Sequence, residues 1–347
     1  MRIRNILIIV ILLLIVLGIT LHRGQYRGRE IEIRAAMDIG SGTTNMKIGQ
    51  VDVEHQKILN ILFEQRVPLP FQKSLELSKD GNFDPAIREE GIQALQRLKK
   101  IATDDYRVKK VAAVATAAFR QANNGEEYAK EIHAKTGIDI RILPHAEEGY
   151  IAYLGAVAET SLDPNKVIVW DIGGGSFQLT TMNDQGELYV EKGSKASVSF
   201  KNYIIENIQG KDINVIHSPN PMTEDEMDEA IAYAEKFANT MDPFIQQKIK
   251  RHDTEILGVG NLFYYGIRPL VGDKTVVSRS DLRDAVMKLA NKSDKELGDD
   301  PFADVKISNG LLVLGFMNAL DINHVTLVNI NNADGALVYP QFWSSSN

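Results

Sequence analysis

The 347 residues contain no cysteine. A disulfide scaffold, a Cys-ligated zinc or iron–sulfur centre and a thiol nucleophile are therefore excluded. The seven histidines (residues 22, 55, 133, 145, 217, 252 and 324) form no i,i+4 pair and no metal-ligand spacing, so they read as surface or core residues. Net positive charge is confined to the first 34 residues: that stretch carries +4, and the remaining 313 carry −11. An acidic body lacks the basic footprint needed to coat nucleic acid, so no nucleic-acid partner is expected. The Gly-Lys-Ser/Thr of a P-loop is missing, and Gly258-Val259-Gly260 lacks the third glycine of a dinucleotide turn. Heptad runs and low-complexity tracts are absent as well. The length suits about two domains.

What is present begins with an apolar run. Ile6 to Leu21 is sixteen uncharged residues, nearly all Ile, Leu and Val. It is slightly short of the roughly 20 that comfortably cross a bilayer and longer than most signal-peptide cores. No convincing cleavage site follows. The expectation is an uncleaved single-pass anchor that holds the protein in membrane lipid through residues 6–21, with a removed signal peptide or a buried helix as alternatives. Arg2 and Arg4 face Arg23, Arg27 and Arg29 across the span, so the positive-inside rule assigns no side to the soluble body. Residues 22–34 read as linker, and residues 1–34 together as anchor and linker.

Beyond residue 34 the pattern is α/β. Apolar runs at Ala35–Ile39, Val111–Ala115, Ile138–Leu143, Val167–Trp170, Glu255–Val259 and Val325–Ile330 read as strands. Helices alternate with them. Asp84-Pro85 caps one reaching about Ile101, Asn123/Asn124 and Gly137 bracket a second, and Thr223 with Glu226 opens a third. Alternating strands and helices argue for α/β layers.

One segment recurs. Asp38-Ile-Gly40-Ser41-Gly42-Thr43 is echoed by Asp171-Ile-Gly173-Gly174-Gly175-Ser176, 133 residues later. Each copy follows an apolar strand and leads into another strand-like run. Two similar domains facing each other are expected. A Gly-rich turn lets several backbone N–H groups converge on an anion, and Ser or Thr hydroxyls add donors. An Asp at the strand end offers hard oxygen to Mg²⁺. Two opposed turns would clamp a phosphate chain; a pair of ordinary hairpins is the plainer alternative.

Between the turns lie Ala115-Thr116 to Asn124-Gly125 and Leu143-Pro144-His145-Ala146-Glu147-Glu148. Arg120 is placed to fork onto phosphate oxygens. Glu147 and Glu148 open a helix, where neighbours point about 100° apart and one at most faces a given cleft. A carboxylate there would activate water for in-line attack on a phosphoryl group. Complementing the helix dipole is the simpler role for the pair.

As an ordered set these motifs resemble the exopolyphosphatase/guanosine-pentaphosphate phosphohydrolase (Ppx/GppA) family of the actin-like ATPase superfamily. The resemblance runs over about residues 35–347. It implies two ribonuclease H-like (actin-like ATPase) domains facing across a cleft, here preceded by the transmembrane helix. Residues 35–155 would form the first domain and 156–332 the second, with about 333–347 packing back on the first. It further implies Glu148 as the water-activating base. Gly40, Ser41, Gly42, Thr43, Arg120, Gly173, Gly174, Gly175 and Ser176 would hold phosphate, with Asp38 and Asp171 near Mg²⁺. Hydrolysis of a terminal phosphoanhydride in polyphosphate or guanosine pentaphosphate is the implied reaction, and a homodimer would fit the family.

Several positions depart from the family pattern. Gln178 stands where a Glu is usual, Asn261-Leu262 where Gly-Thr is expected, Phe302 where Arg is frequent, and Gly149-Tyr150 replaces Ala-Arg. These swaps keep two alternatives open: a catalytically weakened phosphate- or nucleotide-binding regulator, and a sugar-kinase-like ATPase. The remaining notable residues, Tyr264-Tyr265 and Trp343 among them, read as packing.

Overall fold

Two mixed sheets of one design follow each other along the chain. The structure is a computed structural model and describes residues 30–343, apart from 161 and 299. The first sheet contains β1 (Ile31–Ile39), β2 (Thr43–Asp52), β3 (Lys57–Pro68), β4 (Val111–Ala115) and β5 (Ile140–Ile142), in the order β3-β2-β1-β4-β5. The second contains β6 (Val167–Ile172), β7 (Phe177–Met182), β8 (Leu188–Gly193), β9 (Glu255–Val259), β10 (Val276–Ser278) and β11 (His324–Leu327), in the order β10-β11-β9-β6-β7-β8. In each, an antiparallel meander leads to strands parallel to its first member. The second sheet adds β10 as an antiparallel edge. These are the two α/β lobes that the repeated turn predicted.

The register makes the repeat exact in space as well as in sequence. Asp38 lies opposite Asn45 across β1 and β2, and Asp171 lies opposite Gln178 across β6 and β7. Gly40 N donates to Thr43 O at 3.0 Å, and Gly173 N donates to Ser176 O at 2.8 Å. Both aspartates therefore sit one rung before the turn-closing pairs Ile39–Thr44 and Ile172–Phe177 of a central strand.

Helices cover both sheets. Phe71, Phe83, Phe119 and Tyr128 fill one face of the first sheet, with neighbouring ring centroids 5.1 to 6.1 Å apart. Trp170, Phe263 and Phe316 anchor the outer face of the second. Strand β6 is buried throughout, as expected for a strand covered on both sides.

The lobes exchange helices at their junction. The His145–Glu159 helix leaves the first sheet and packs on β6, β7 and β8, while the Asn332–Val338 helix leaves the second and packs on β1, β2 and β4. Where these helices cross, Gly335 lies against the Ile151 carbonyl so closely that no Cβ fits.

Most capping residues act locally as their sequence predicts, although Asn124 makes no cap bond and pairs its side chain with the Phe83 backbone instead. Asp84 accepts from Ala86 N and Ile87 N, Gly137 closes its helix at φ 64°, and Thr223 and Glu226 exchange backbone bonds. Two expectations need correction. Residues 31–34 belong to β1 rather than a linker, because their backbone pairs with Gly49–Asp52 and Arg34 is buried, donating to Leu337 O at 3.0 Å. Strand β3 went unrecognised because, as an edge strand with mixed exposure, it shows no clean alternation. The expected membrane helix at residues 6–21 lies outside the described residues. Among those described, no helix is long and apolar enough to cross a membrane.

Candidate active site

The two glycine turns meet across the gap between lobes. A Cβ on Gly174 would stand 2.8 Å from Ser41 Cβ. Behind this contact is a cavity of about 250 Å³. Asp38, Gly40–Thr43, Glu148, Asp171, Gly173, Gly174 and Ser176 all line it. Residues that pattern reasoning placed up to 138 positions apart thus share one wall-to-wall space.

Arg120 and Gly175 are set behind the wall. Gly175 packs on Gln72, Gln121 and Ala117 of the first lobe. Arg120 Nη1 donates to Leu143 O at 2.8 Å and lies 2.6 Å from Glu148 Oε2, while Nη2 is 3.4 Å from Ser176 Oγ. The Glu148 contact is a close ion pair that engages Oε2. Of the paired acids, Glu148 enters the cavity; Glu147 turns away to Arg141 at 2.7 Å and Tyr339 Oη at 3.1 Å.

Three carboxylates share the cavity floor. Burial raises Asp38 to about 7, with the charge of Glu148 adding to the shift and hydrogen bonds from Asn332 opposing it. Asp171 is pushed well above its ordinary range by burial, then by Glu148 and Asp38. Glu148 is also raised by burial, and Arg120 pulls it back down. The floor is thus short of positive charge. Asp38 Oδ1 has no hydrogen-bond partner. Gly260, at φ 81°, leaves room for the other aspartate: a Cβ there would stand 2.5 Å from Asp171 Oδ1. An unpartnered buried carboxylate oxygen and a charge deficit suit a hard divalent cation. Among the described residues no group of three His, Asp or Glu side chains is arranged to hold a metal ion. Mg²⁺ ordinarily takes one or two carboxylates and completes its shell with water and phosphate oxygens, so Asp38 and Asp171 fit it in that manner.

Several cavity residues were not foreseen. Asn332 reaches Asp38 from the start of the Asn332–Val338 helix, with Asn331 lining the cavity beside it, and Lys201, 4% exposed, also lines it, bonded to Asp304 at 3.2 Å. No local motif marks either of them. Tyr265, read from sequence as packing, lines the cavity under the Arg66 guanidinium, 3.9 Å from its ring centre, and donates to Glu64 at 3.1 Å. The departures Leu262 and Phe302 also line the cavity, and the Phe302 ring abuts Gly42.

Residues 48–200 match the model of the Ppx/GppA phosphatase family. Over 164 residues the chain is 30% identical to a bifunctional 3-dehydroquinate synthase/phosphatase of Fusobacterium nucleatum, covering 44% of this chain and 24% of that protein. It is 29% identical over 158 residues to retrograde regulation protein 2 of Saccharomyces cerevisiae, covering 44% and 26% respectively. The chain therefore spans about a quarter of the length of these curated relatives. The crystal structure of the Aquifex aeolicus Ppx/GppA family member superposes with a TM-score of 0.68 at 21% identity, covering 89% of this chain and 97% of that one, and shares its fold. Residues 48–200 thus resemble the Ppx/GppA phosphatase family, and both lobes share the fold of its Aquifex aeolicus member.

Proposed function

We propose that the protein is a phosphatase that removes the terminal phosphoryl group of polyphosphate or of a guanosine pentaphosphate, tethered to membrane lipid by residues 6–21. The observation that carries this is Glu148: a buried carboxylate, facing the same cavity as both glycine turns, beside an arginine that favours its ionised form.

In this reading the turn amides and the hydroxyls of Ser41, Thr43 and Ser176 hold the terminal phosphoryl group from both lobes. Glu148 takes a proton from water as its oxygen bonds to phosphorus, the bridging P–O bond breaks, and the shortened chain leaves with the bond's electrons. Mg²⁺, held by Asp38 and Asp171, would neutralise charge on phosphate oxygens.

The test is phosphate release from polyphosphate and guanosine pentaphosphate by the purified chain with Mg²⁺. Release from one substrate or both supports the proposal, and none from either refutes it. The alternative is a phosphate-binding regulator with weak turnover. Gln178, Leu262 and Phe302 favour it, since each replaces a polar or charged family residue within or beside the cavity. Ligand-induced thermal stabilisation without phosphate release would select that alternative. A sugar-kinase-like ATPase finds less support, because Asn261 and Leu262 stand where a nucleoside-holding loop would carry Gly-Thr; phosphorylation of an acceptor by ATP would establish it.

A further inference from the structure

Ser176 is the hydroxyl of the second turn, and two donors approach its oxygen. Arg120 Nη2 stands 3.4 Å away and Gln178 Nε2 stands 3.3 Å away. A serine oxygen has two lone pairs and one proton. Both approaching groups are N–H donors, so they occupy the lone pairs and leave the proton the remaining direction, into the cavity that Ser176 lines. We infer that Gln178 is a positioning residue that, acting through Ser176, holds the hydroxyl as a donor toward an anionic phosphoryl oxygen. The inference rests on the phosphoryl-binding reading of the same cavity.

The surroundings fix Gln178 for this task. It is 1% exposed and lies opposite Asp171 on the neighbouring strand. The helix carrying Glu148 seals it in: a Cβ on Gly149 would stand 3.4 Å from Gln178 Cβ and 2.7 Å from Thr180 Oγ1. The carboxamide nitrogen of Gln178 donates without adding charge. A carboxylate only accepts. It would draw the Ser176 proton back toward the strand, and it would add a fourth acid beside Asp38, Glu148 and Asp171. The first turn lacks the device. Its equivalent pair is Thr43 and Asn45, and the shorter Asn45 has neither Nδ2 nor Oδ1 hydrogen-bonded. The second turn is thus the one whose hydroxyl is aimed in advance.

The test is a double-variant cycle on the full chain, reading the Kd of inorganic tripolyphosphate with Mg²⁺ by calorimetry. Ser176→Ala is expected to weaken binding about tenfold, the size of one hydrogen bond to a charged group. Gln178→Leu alone should weaken it by roughly five- to tenfold, and the double variant should bind no worse than Ser176→Ala. Ser176→Thr, which keeps the hydroxyl, should retain sensitivity to Gln178→Leu. Gln178→Met fills the site with a longer apolar chain and serves if the leucine variant does not fold. Losses that multiply in the double variant, or unchanged binding in both Gln178 variants, would overturn the inference while leaving the ligand reading intact. Absence of binding by the unaltered chain would remove the ligand reading itself, and this inference with it.

Discussion

Arg120 Nη1 lies 2.6 Å from Glu148 Oε2, so the guanidinium that the sequence assigns to phosphate is engaged with the acid assigned to water. Its other contacts, Leu143 O and Ser176 Oγ, hold it behind the turn. In this arrangement Arg120 opposes the upward shift that burial imposes on Glu148, and its contact with Ser176 steadies the turn. A phosphate oxygen reaching it would have to compete with Glu148, and winning that competition would release the carboxylate toward water.

Removing the carboxylate charge tests its role directly. Glu148→Gln should lower phosphate release by about 100-fold or more, the range of a lost general base. Tripolyphosphate binding should persist, because the turns are untouched. A variant that keeps most of the rate would assign the base elsewhere.

Arg120→Met should move the acid limb of the pH–rate profile to higher pH. Arg120 lowers the Glu148 pKa against the upward push of burial, so without it the base stays protonated over more of the acid range. Initial rates measured across pH 5 to about 9 decide this. A limb that does not move would show that another group controls ionisation.

Mg²⁺ should raise the melting temperature of the unaltered chain, and Asp171→Asn should abolish most of that shift. The aspartates are held in a cavity short of positive charge, so a divalent cation relieves their repulsion. Equal Mg²⁺ shifts in both proteins would place the cation away from Asp171.

His145 predicts an acid-side loss of stability. Burial, then the neighbouring Arg120 and Lys192, lowers its pKa from 6.5 to about 4, against an opposing bond to Phe177 O. Above about 6.5 the ring is neutral in both folded and unfolded chains and contributes no pH dependence. Between there and about 4 the unfolded chain binds the proton first, so stability falls as pH falls. Urea unfolding of the His145→Gln variant should show a shallower decline over that window. An identical slope would mean that other groups dominate acid unfolding.

Gly335→Ala should destabilise the chain by about 2 kcal/mol through overpacking, since the new methyl meets the Ile151 carbonyl where the two exchanged helices cross. A lowered midpoint in urea is the readout. An unchanged midpoint would imply that the crossing yields easily.

Much of this site was legible because its signals are local. The strand, Gly-rich turn and returning strand that carry Asp38 and Asp171 run continuously from Ile31 to Asp52 and from Val167 to Met182, and the same turn bond closes both. The choice between Glu147 and Glu148 was open, because helical spacing permits only one in the cleft without saying which; the packing of the His145–Glu159 helix on the second sheet selected Glu148. Edge strand β3 escaped notice because its exposure is mixed along its whole length.

The amino-acid sequence by itself determined the two-lobed α/β plan, the paired glycine turns and most of the caps that start and stop the helices. Each of these depends on backbone geometry and on neighbours a few residues away. Tertiary structure alone decided the partners: Arg120 with Glu148, Asn332 with Asp38, and Gln178 with the hydroxyl it aims. Most of those contacts span tens to hundreds of residues, and a side chain's charge state and direction follow from which groups the packed lobes bring beside it.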